Sequence, residues 1–381
     1  MTSRVVRIGA RSSPLARAQV DLVAAALGEL GVGCEFVPIS TQGDVDRREL
    51  TQIGGTGVFA AAVRERLLDG SIDVAVHSAK DLPTAPVEGL EVIAYPSRED
   101  TRDVLVARDR AALELATATS GRPLLIGTGA PRRAVQLTQW AEDIGARITI
   151  EPIRGNVDTR LDQVRTGRFD ATILAAAGLS RLRRFDPGRE ATADDPAGLT
   201  IGGLPAVLLS HDRLLPAAAQ GALAVETSTA LDSEIRQVLT RLDHAVTRAE
   251  VLAERRFLAV LEAGCTAPVG ARAEVDRTSV DSPADQPAGQ VVRGARPVRD
   301  PGADLTLVAV IGRTKGDDLA QRSAESTTGP VGAGRSEGRL IRRHRLVGVS
   351  GQGSSADPEE LGGRLAELAL TAVDRSEFGP A

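Results

Sequence analysis

The first 215 residues alternate short apolar, β-branched runs with longer segments in which apolar residues recur every three or four positions. The chain opens with RVVRIGA, PLARAQVDLVAAALGEL and CEFVPIS. This alternation of strand-sized and helix-sized segments is typical of α/β units. Further strands are predicted at IDVAVH, LEVIAYP, DVLVA, PLLIGTG, RITIEPI and DATILAA. The strand-loop-helix passages that begin at residues 4 and 122 are alike and predict two similar lobes.

The pattern changes near residue 244. Before it, LLPAAAQGALAVE predicts one more strand and LDSEIRQVLTRLDH one more helix. After it, the helical segment AVTRAEVLAERRFLAVLEAG leads into strand-sized pieces separated by segments rich in Pro, Gly, Ser and charge, which predicts a third, smaller domain. The last helix is expected to start with Asp357 as N-cap and Pro358 in the first turn, with Glu360 at the capping-box position.

Composition limits the classes of function. A chain of 381 residues favours two or three domains. A net charge of −5 with only 2% aromatic residues argues against a broad nucleic-acid or anionic-membrane surface. We find no export leader and no apolar run of transmembrane length, so a cytoplasmic protein without membrane contact is expected. Cys34 and Cys265 are interpreted as thiols, and no histidine has metal-ligand spacing, so no metal is expected.

Predicted strand-to-helix junctions carry a set of arginines. They are Arg11, Arg132, Arg133, Arg154, Arg160 and Arg181. Such junctions border the ligand crevice of open α/β sheets, and guanidinium groups suit carboxylates or phosphates. Arg132 and Arg133 fall in a first helical turn, where a cation costs about 0.3 to 1 kcal/mol, so an anion is expected beside them. A competing interpretation is that an arginine-rich composition simply scatters guanidinium groups over the surface.

The segment IDVAVHSAKDLPT places Lys80 and Asp81 at the end of a predicted buried strand. Lys315 is the only other lysine. A carboxylate in a cleft suits acid-base chemistry, although a neighbouring lysine and aspartate more often form a plain salt bridge. No Walker A lysine motif occurs, and the glycine-rich segments lack the third glycine of a dinucleotide fingerprint, so nucleotide binding has little support.

Ten motifs occur in order along the chain up to about residue 275. They are RIGARSSPLARAQ, STQGD, GGTGVF, DVAVHSAKDLPT, RDVLV, IGTGAPRR, IRGNVDTRL, ILAAAGLSRL, LLPAAAQGALAVE and LEAGCTAPVG. Through these ten motifs and their order, the chain resembles the hydroxymethylbilane synthases, also called porphobilinogen deaminases. The resemblance implies a cytoplasmic, monomeric transferase of porphyrin and heme biosynthesis. Such an enzyme joins four porphobilinogen molecules head to tail with release of ammonia, and then frees linear hydroxymethylbilane by hydrolysis.

The resemblance also implies a cofactor and a fold. The cofactor is a dipyrromethane primer joined by a thioether to one cysteine, which by the match to LEAGCTAPVG is Cys265, while Cys34 is assigned to the core. The implied fold is α/β, with two lobes like a type II periplasmic binding protein, each with a mixed five-stranded sheet, and a smaller α+β domain that carries the cysteine. The expected ranges are 1–104 with 216–240, 105–215, and 244–381.

Site residues follow from the same match. Asp81 corresponds to the catalytic aspartate, which hydrogen-bonds pyrrole N–H groups and stabilises the positive charge that develops when ammonia leaves. Residues matching cofactor contacts are Lys80, Ser13, Thr128, Arg132, Arg133, Arg154 and Arg160. Residues matching substrate contacts or the hinge are Arg11, Arg154, Arg160, Arg181 and Gln220. The chain departs from the family pattern where Thr56 and Ala61 replace lysines and Ala219 and Ala263 replace glycines.

Two other functions remain open from the residues alone. One is a non-catalytic two-lobe module that binds small anions, and the other is an enzyme that releases ammonia from a different carboxylated amine. Cys265 discriminates best against the first, because an anion receptor needs no thiol on a third domain.

Overall fold

The structure is a computed structural model that describes residues 5–40, 58–115, 122–185, 198–264, 267–276, 304–312, 330–331, 338–342 and 346–371. The strands are β1 (Val6–Arg11), β2 (Cys34–Ile39), β3 (Val74–Ser78), β4 (Leu90–Ala94), β5 (Asp103–Ala107), β6 (Leu124–Gly127), β7 (Ile148–Glu151), β8 (Ala171–Ala175), β9 (Thr200–Ile201), β10 (Leu204–Leu209), β11 (Leu223–Ser228), β12 (Val269–Val275), β13 (Asp304–Gly312), β14 (Pro330–Val331), β15 (Gly338–Arg342) and β16 (Leu346–Ser354). The helices are α1 (Pro14–Glu29), α2 (Val58–Leu68), α3 (Arg110–Leu115), α4 (Pro131–Ile144), α5 (Val157–Arg165), α6 (Ala176–Arg181), α7 (Ser233–Thr240), α8 (Ala245–Leu261) and α9 (Pro358–Leu370).

The first lobe is built on a five-stranded sheet in the order β2-β1-β3-β11-β4. β1 runs parallel to β2 and β3, whereas β11 is antiparallel to β3 and β4. Helix α1 starts at Pro14 because the Ser13 side chain accepts a hydrogen bond from the backbone N–H of Ala16. Its buried residues Val20, Val23 and Leu27 recur at helical spacing and pack on the sheet core.

The second lobe contains a sheet of six strands in the order β7-β6-β8-β5-β10-β9. Five strands were expected; β9, a two-residue strand at Thr200–Ile201, adds one at the edge. β6 is parallel to β7 and β8, and β5 is antiparallel to β8 and β10. The carboxyl ends of β6, β7 and β8 therefore lie at one edge of this sheet, as those of β1, β2 and β3 do in the first.

Two segments cross between the lobes. The chain leaves the first sheet after Ala94 and enters the second at Asp103, and it returns between Leu209 and Leu223. Because β5 begins at Asp103, the first crossing ends slightly before the boundary expected after residue 104. The side chain of Gln220, on the return crossing, is completely buried, so the two crossings are packed together at that point.

The third domain is an antiparallel sheet in the order β12-β13-β16-β15-β14, covered by α8 and α9. Phe257 and Leu261 of α8 meet Leu361 and Leu365 of α9 in its core. The start of α9 is as predicted, because Asp357 accepts a hydrogen bond from the N–H of Glu360 at 3.2 Å. Among the described residues, every helix is too short or too polar to cross a bilayer.

Candidate active site

Asp81 lies on a short 3-10 turn, Ala79–Asp81, that directly follows β3. Ala79 is completely buried and Leu82 is 3% exposed, whereas Lys80 is half-buried and Asp81 is exposed. Burial of these apolar neighbours on both sides fixes the backbone of the turn against the core. The Asp81 side chain is therefore exposed to solvent at the carboxyl end of β3. The buried strand β3 thus supports the turn that carries Lys80 and Asp81.

Arg132 and Arg133 share one buried carboxylate. Arg132 Nη2 lies 2.9 Å from Asp103 Oδ2, and Arg133 Nη2 lies 2.7 Å from Asp103 Oδ1. Arg132 also donates to the carbonyl of Leu215, and Arg133 to that of Ile173. Asp103 is therefore the anion that the first turn of α4 requires. Although burial raises the pKa of Asp103, the two guanidinium groups outweigh it and hold that pKa well below the usual range.

Gln220 connects this cluster to both lobes and to the first crossing. Its Nε2 donates to the carbonyl of Thr101 at 2.8 Å and to Asp103 Oδ1 at 2.9 Å. Its Oε1 accepts from Lys80 Nζ at 3.4 Å and from Arg132 Nη2 at 3.5 Å. One amide thus joins the Ala79–Asp81 turn of the first lobe to helix α4 of the second.

Lys80 faces the same cluster. Burial lowers the pKa of its ammonium; Asp81 opposes that shift, Arg133 adds to it, and Asp103 and Arg132 contribute with opposite signs. Lys80 is therefore close enough to Asp81 and to the arginine pair to interact with both electrostatically. The structure brings together Asp81, Lys80, Arg132, Arg133 and Gln220.

Arg154 and Arg160 extend the positive region beyond Arg133. Arg154 is exposed in the turn after β7, and Arg160 is half-buried in the first turns of α5, where its Nε donates to the carbonyl of Gly155 at 2.8 Å. Asn156 caps α5 by accepting from the N–H of Thr159, as predicted. Burial, Arg133 and Arg154 lower the pKa of Arg160 to about 10. This excess of positive charge fits a ligand with several carboxylates.

Arg181 lies at the end of α6, which follows β8. Its Nη2 donates to the carbonyl of Gly221 at 2.6 Å, next to Gln220 on the return crossing. Its Nε is buried without a hydrogen-bond partner among the described residues, and so is Glu99 Oε2. Burial, partly opposed by the charge of Glu99, lowers the pKa of Arg181 to about 10. A buried donor without a partner is the kind of group that a bound carboxylate satisfies.

The remaining candidate residues lie in the turns that follow β1 and β6. Arg11 is half-buried at the end of β1, and Ser13 caps α1. Thr128 is buried after β6, and its Oγ1 accepts from the N–H of Ala130 at 3.2 Å. Both hydroxyls use an acceptor lone pair for the backbone and keep an O–H that can donate to a ligand.

Of the two cysteines, only Cys34 is among the residues that the structure describes. Cys265 and Thr266 lie outside the described residues, but Gly264 and Ala267 on either side are described, as is α8 before them. Cys34 is half-buried in β2 and packs against the core of the first lobe, and burial raises the pKa of its thiol. A raised pKa leaves less thiolate at neutral pH, which suits a structural role.

Several residues that shape the site were not singled out from the sequence. Asp103 pairs with arginines 29 and 30 positions away, and Glu254 with Arg98 156 positions away. Arg98 lies on the first crossing and contacts Glu254 at 2.9 and 2.8 Å. A signal was present in each case: Asp103 opens an apolar strand, and Glu250 and Glu254 fall on the apolar face of α8.

Comparison with known proteins decides the family. A family model described as "Porphobilinogen deaminase, dipyromethane cofactor binding domain" matches residues 6–237. A second, "Porphobilinogen deaminase, C-terminal domain", matches residues 248–332. The chain belongs to the porphobilinogen deaminase family. The resemblance stated from the motifs is thereby confirmed, and the chain carries the family's dipyrromethane-binding domain.

Curated relatives in the porphobilinogen deaminase family match most of the chain. Porphobilinogen deaminase 1 of Streptomyces coelicolor is 48% identical over 87% of this chain and 90% of its own length. The porphobilinogen deaminase of Thermobifida fusca is 41% identical over 88% of this chain and 100% of its own length. Matches over nearly the whole of both proteins include both lobes and much of the third domain.

Solved structures outside this family match the chain only distantly. The amino-acid extracellular-binding protein ytmK of Bacillus subtilis matches with a TM-score of 0.34 and 11% identity, over 63% of this chain and 90% of that one. The second substrate-binding domain of Lactococcus lactis GlnP matches with a TM-score of 0.33 and 11% identity, over 64% of this chain and 89% of that one.

Proposed function

We propose that this chain condenses four porphobilinogen molecules head to tail, with loss of ammonia at each step, and then releases linear hydroxymethylbilane by hydrolysis. Family membership supports the activity, and one structural observation supports the location of the site. An exposed carboxylate, Asp81, stands at a strand end beside a cluster of cations that belongs to the facing lobe. Acid-base chemistry on a polycarboxylate needs both features.

Asp81 is the catalytic carboxylate in this proposal. Loss of ammonia leaves an electron-poor pyrrole, and positive charge is shared with the ring nitrogen. A carboxylate held in place by the buried neighbours Ala79 and Leu82 accepts a hydrogen bond from the pyrrole N–H and stabilises that charge without first having to reorganise. The same oxygen atoms take up the proton that the attacking pyrrole carbon releases.

The cationic residues bind the acetate and propionate groups. Arg154 is exposed, and Arg181 has a buried Nε without a hydrogen-bond partner among the described residues. Arg160 lies near the like charges of Arg133 and Arg154, which with burial lower its pKa to about 10. These three residues have donors or charge left for a ligand. Arg132 and Arg133, held by Asp103, form the rigid base of the region. Arg11, Lys80, Ser13, Thr128 and Gln220 complete the set assigned to cofactor and substrate.

The residues present fit dipyrromethane, whose carboxylates match the excess of arginine. We assign its covalent attachment to Cys265, four residues beyond the end of α8 at Leu261. Bound dipyrromethane supplies the pyrrole carbon to which the first porphobilinogen is joined. The chain's own residues then hold carboxylates, orient the rings and move protons at Asp81.

The organisation and setting of the protein are part of the proposal. We place three domains at 1–102 with 216–240, at 103–215 and at 244–381, the first boundary being moved because β5 begins at Asp103. A cytoplasmic monomer without nucleic-acid or membrane partners is consistent with the net charge of −5. The alternative of a non-catalytic anion-binding module has no support from the relatives, which are deaminases.

Intact mass of the purified protein, combined with release of ammonia from porphobilinogen, tests this function. We expect the protein to weigh more than its sequence by one dipyrromethane, and Cys265→Ser to remove both the added mass and the activity. Cys34→Ser is the matched control and should keep both, because that thiol packs in the first lobe. An active protein of unmodified mass, or loss of the cofactor in Cys34→Ser alone, would contradict the assignment.

A further inference from the structure

Arg255 of α8 contacts the backbone of the turn that carries Asp81. Its Nη1 donates to the carbonyl of Leu82 at 2.7 Å and to that of Ala79 at 3.3 Å, and its Nη2 donates to the carbonyl of Pro83 at 2.7 Å. These three acceptors lie on both sides of Lys80 and Asp81. One guanidinium group from the third domain therefore brackets the two residues that the first lobe presents to the site.

Among the described residues, two backbone hydrogen bonds also hold the turn. Within it, the N–H of Leu82 reaches the carbonyl of Ala79 at 3.3 Å, and the N–H of Ala79 donates to the carbonyl of Ala222 at 3.0 Å. Pro83 has no N–H to donate. Three backbone carbonyls held by a forked, permanently charged donor fix the turn more firmly than these bonds do alone.

Apolar packing joins the same elements. Ala79 and Leu82 belong to a buried cluster with Val251 of α8 and with Ala219 of the return crossing. On α8 itself, Glu254 is completely buried and bonds to Arg98 on the first crossing and to the N–H of Ala219. The face of α8 that holds the catalytic turn is therefore also the face that holds both crossings.

We propose that Arg255 is a positioning residue for catalysis: it fixes the turn so that Asp81 keeps its orientation toward the pyrrole nitrogen. This inference rests on the proposed role of Asp81. Arg255 lies in α8, which ends at Leu261, four residues before Cys265 in the sequence. In this proposal Arg255 acts through the backbone of the turn and not directly on substrate or cofactor.

The test compares Arg255→Met, Arg255→Lys and the control Arg256→Met. Methionine keeps much of the aliphatic length but donates to no carbonyl. Lysine can serve one or two of the three acceptors. Arg256 is the next residue on α8, is exposed, and lies beside Gly363 of α9 rather than beside the turn. All variants are measured as cofactor-loaded enzyme, with the loading read from intact mass.

We expect kcat of Arg255→Met to fall about 10- to 100-fold with KM within about twofold of wild type, because small misplacements of a catalytic group cost rates of that order. Arg255→Lys should recover part of kcat, and Arg256→Met should match wild type. A purely structural role would lower the melting temperature or the loaded fraction but leave kcat per loaded enzyme unchanged, and that result would overturn the proposal. Equal losses of kcat in Arg255→Met and Arg256→Met would also overturn the proposal.

The variant Asp81→Asn distinguishes a failure of the positioning role of Arg255 from a failure of the catalytic role proposed for Asp81. If Asp81→Asn is nearly as active as wild type, the catalytic assignment fails and the positioning role fails with it. If Asp81→Asn is inactive while loaded Arg255→Met keeps normal kcat, only the positioning role is wrong. Should Arg255→Met not load, the measurement is made on Arg255→Lys, for which normal kcat per loaded enzyme overturns the proposal.

Discussion

At the scale of single residues, Asp81 combines an exposed side chain with a backbone held by buried neighbours. We therefore expect Asp81→Asn to fold and load cofactor normally, yet to lose about 100- to 1,000-fold in kcat, because an amide cannot carry the compensating charge. Single-turnover release of ammonia measures the loss. Asp21→Asn, an exposed aspartate paired with Arg17 on α1, is the control. Near-normal rates in Asp81→Asn would contradict the catalytic role and favour the interpretation that Lys80 and Asp81 form a plain salt bridge.

Ala219 shows how a departure from the family pattern is accommodated. By the motif match it stands where the family has glycine. Its φ of 60° is left-handed, a conformation that costs a residue with a Cβ about 1 to 2 kcal/mol. The residue is completely buried, and its N–H donates to Glu254 at 2.5 Å. Packing and this hydrogen bond hold the strained backbone at the return crossing.

Two neighbouring alanines allow that strain to be measured. Ala219→Gly and Ala218→Gly each remove a buried methyl group and each add freedom to the unfolded chain, but only the first relieves a left-handed backbone. We expect Ala218→Gly to lower the free energy of unfolding by about 1 to 2 kcal/mol more than Ala219→Gly does. Denaturant titration of both variants gives the difference. Equal losses would mean that Ala219 is not strained in solution.

At the scale of helices and strands, local pattern and capping predicted the elements, but not the contacts between them. The caps at Ser13, Asn156 and Asp357 and the placement of Arg132 and Arg133 in a first turn follow from neighbouring residues, and the structure has them. β10 was not singled out, because its apolar run lies among loop-like residues. The partners of Asp103 and Glu254 could not be inferred, since they depend on which strand ends meet.

The pairing of α4 with β5 through Asp103 leads to a prediction on stability. Asp103→Asn leaves two buried guanidinium groups without a counter-charge, so the free energy of unfolding should fall by about 3 to 5 kcal/mol. Asp170→Asn is the control. Its partners Arg122 and Arg108 are 55% and 36% exposed and stay solvated, so the loss should be smaller. Urea titration at neutral pH compares the two.

The pH dependence of the Asp103 contribution has a defined sign. The folded protein holds the pKa of Asp103 below its usual value near 3.8, so the carboxylate stabilises the fold above about pH 4 and this contribution is lost as the pH falls further. The difference in the free energy of unfolding between wild type and Asp103→Asn should therefore be constant from pH 5 to 7 and should become smaller in acid. A gap that widens in acid would contradict the assignment.

At the scale of the whole molecule, the third domain holds the junction between the lobes. Glu254 accepts from Arg98 on the first crossing, from Ala219 on the return crossing and from the N–H of Ala273 on β12. Burial, only partly opposed by Arg98, raises the pKa of the neighbouring Glu250. Because one helix contacts both crossings, any movement of one lobe against the other has to be accommodated at α8.

The division of charge between the lobes gives the last prediction. Asp81 and Lys80 come from the first lobe, whereas Arg154 and Arg160 come from the turn after β7 and from α5 of the second. We therefore expect a growing chain that gains an acetate and a propionate per ring to be held increasingly by the second lobe. Arg154 is exposed, and Arg154→Leu should change the free energy of unfolding by no more than about 0.5 kcal/mol. Loss of a charge-assisted hydrogen bond, about 1.5 to 3 kcal/mol, should nevertheless impair elongation, and later enzyme-bound intermediates should accumulate more than early ones.

Mass spectrometry of the enzyme after brief exposure to porphobilinogen resolves these species, with Arg241→Leu, an exposed arginine at the end of α7, as the control. Normal elongation in Arg154→Leu, or the same stall in Arg241→Leu, would mean that the arginines are scattered surface charge and that the cleft assignment is wrong.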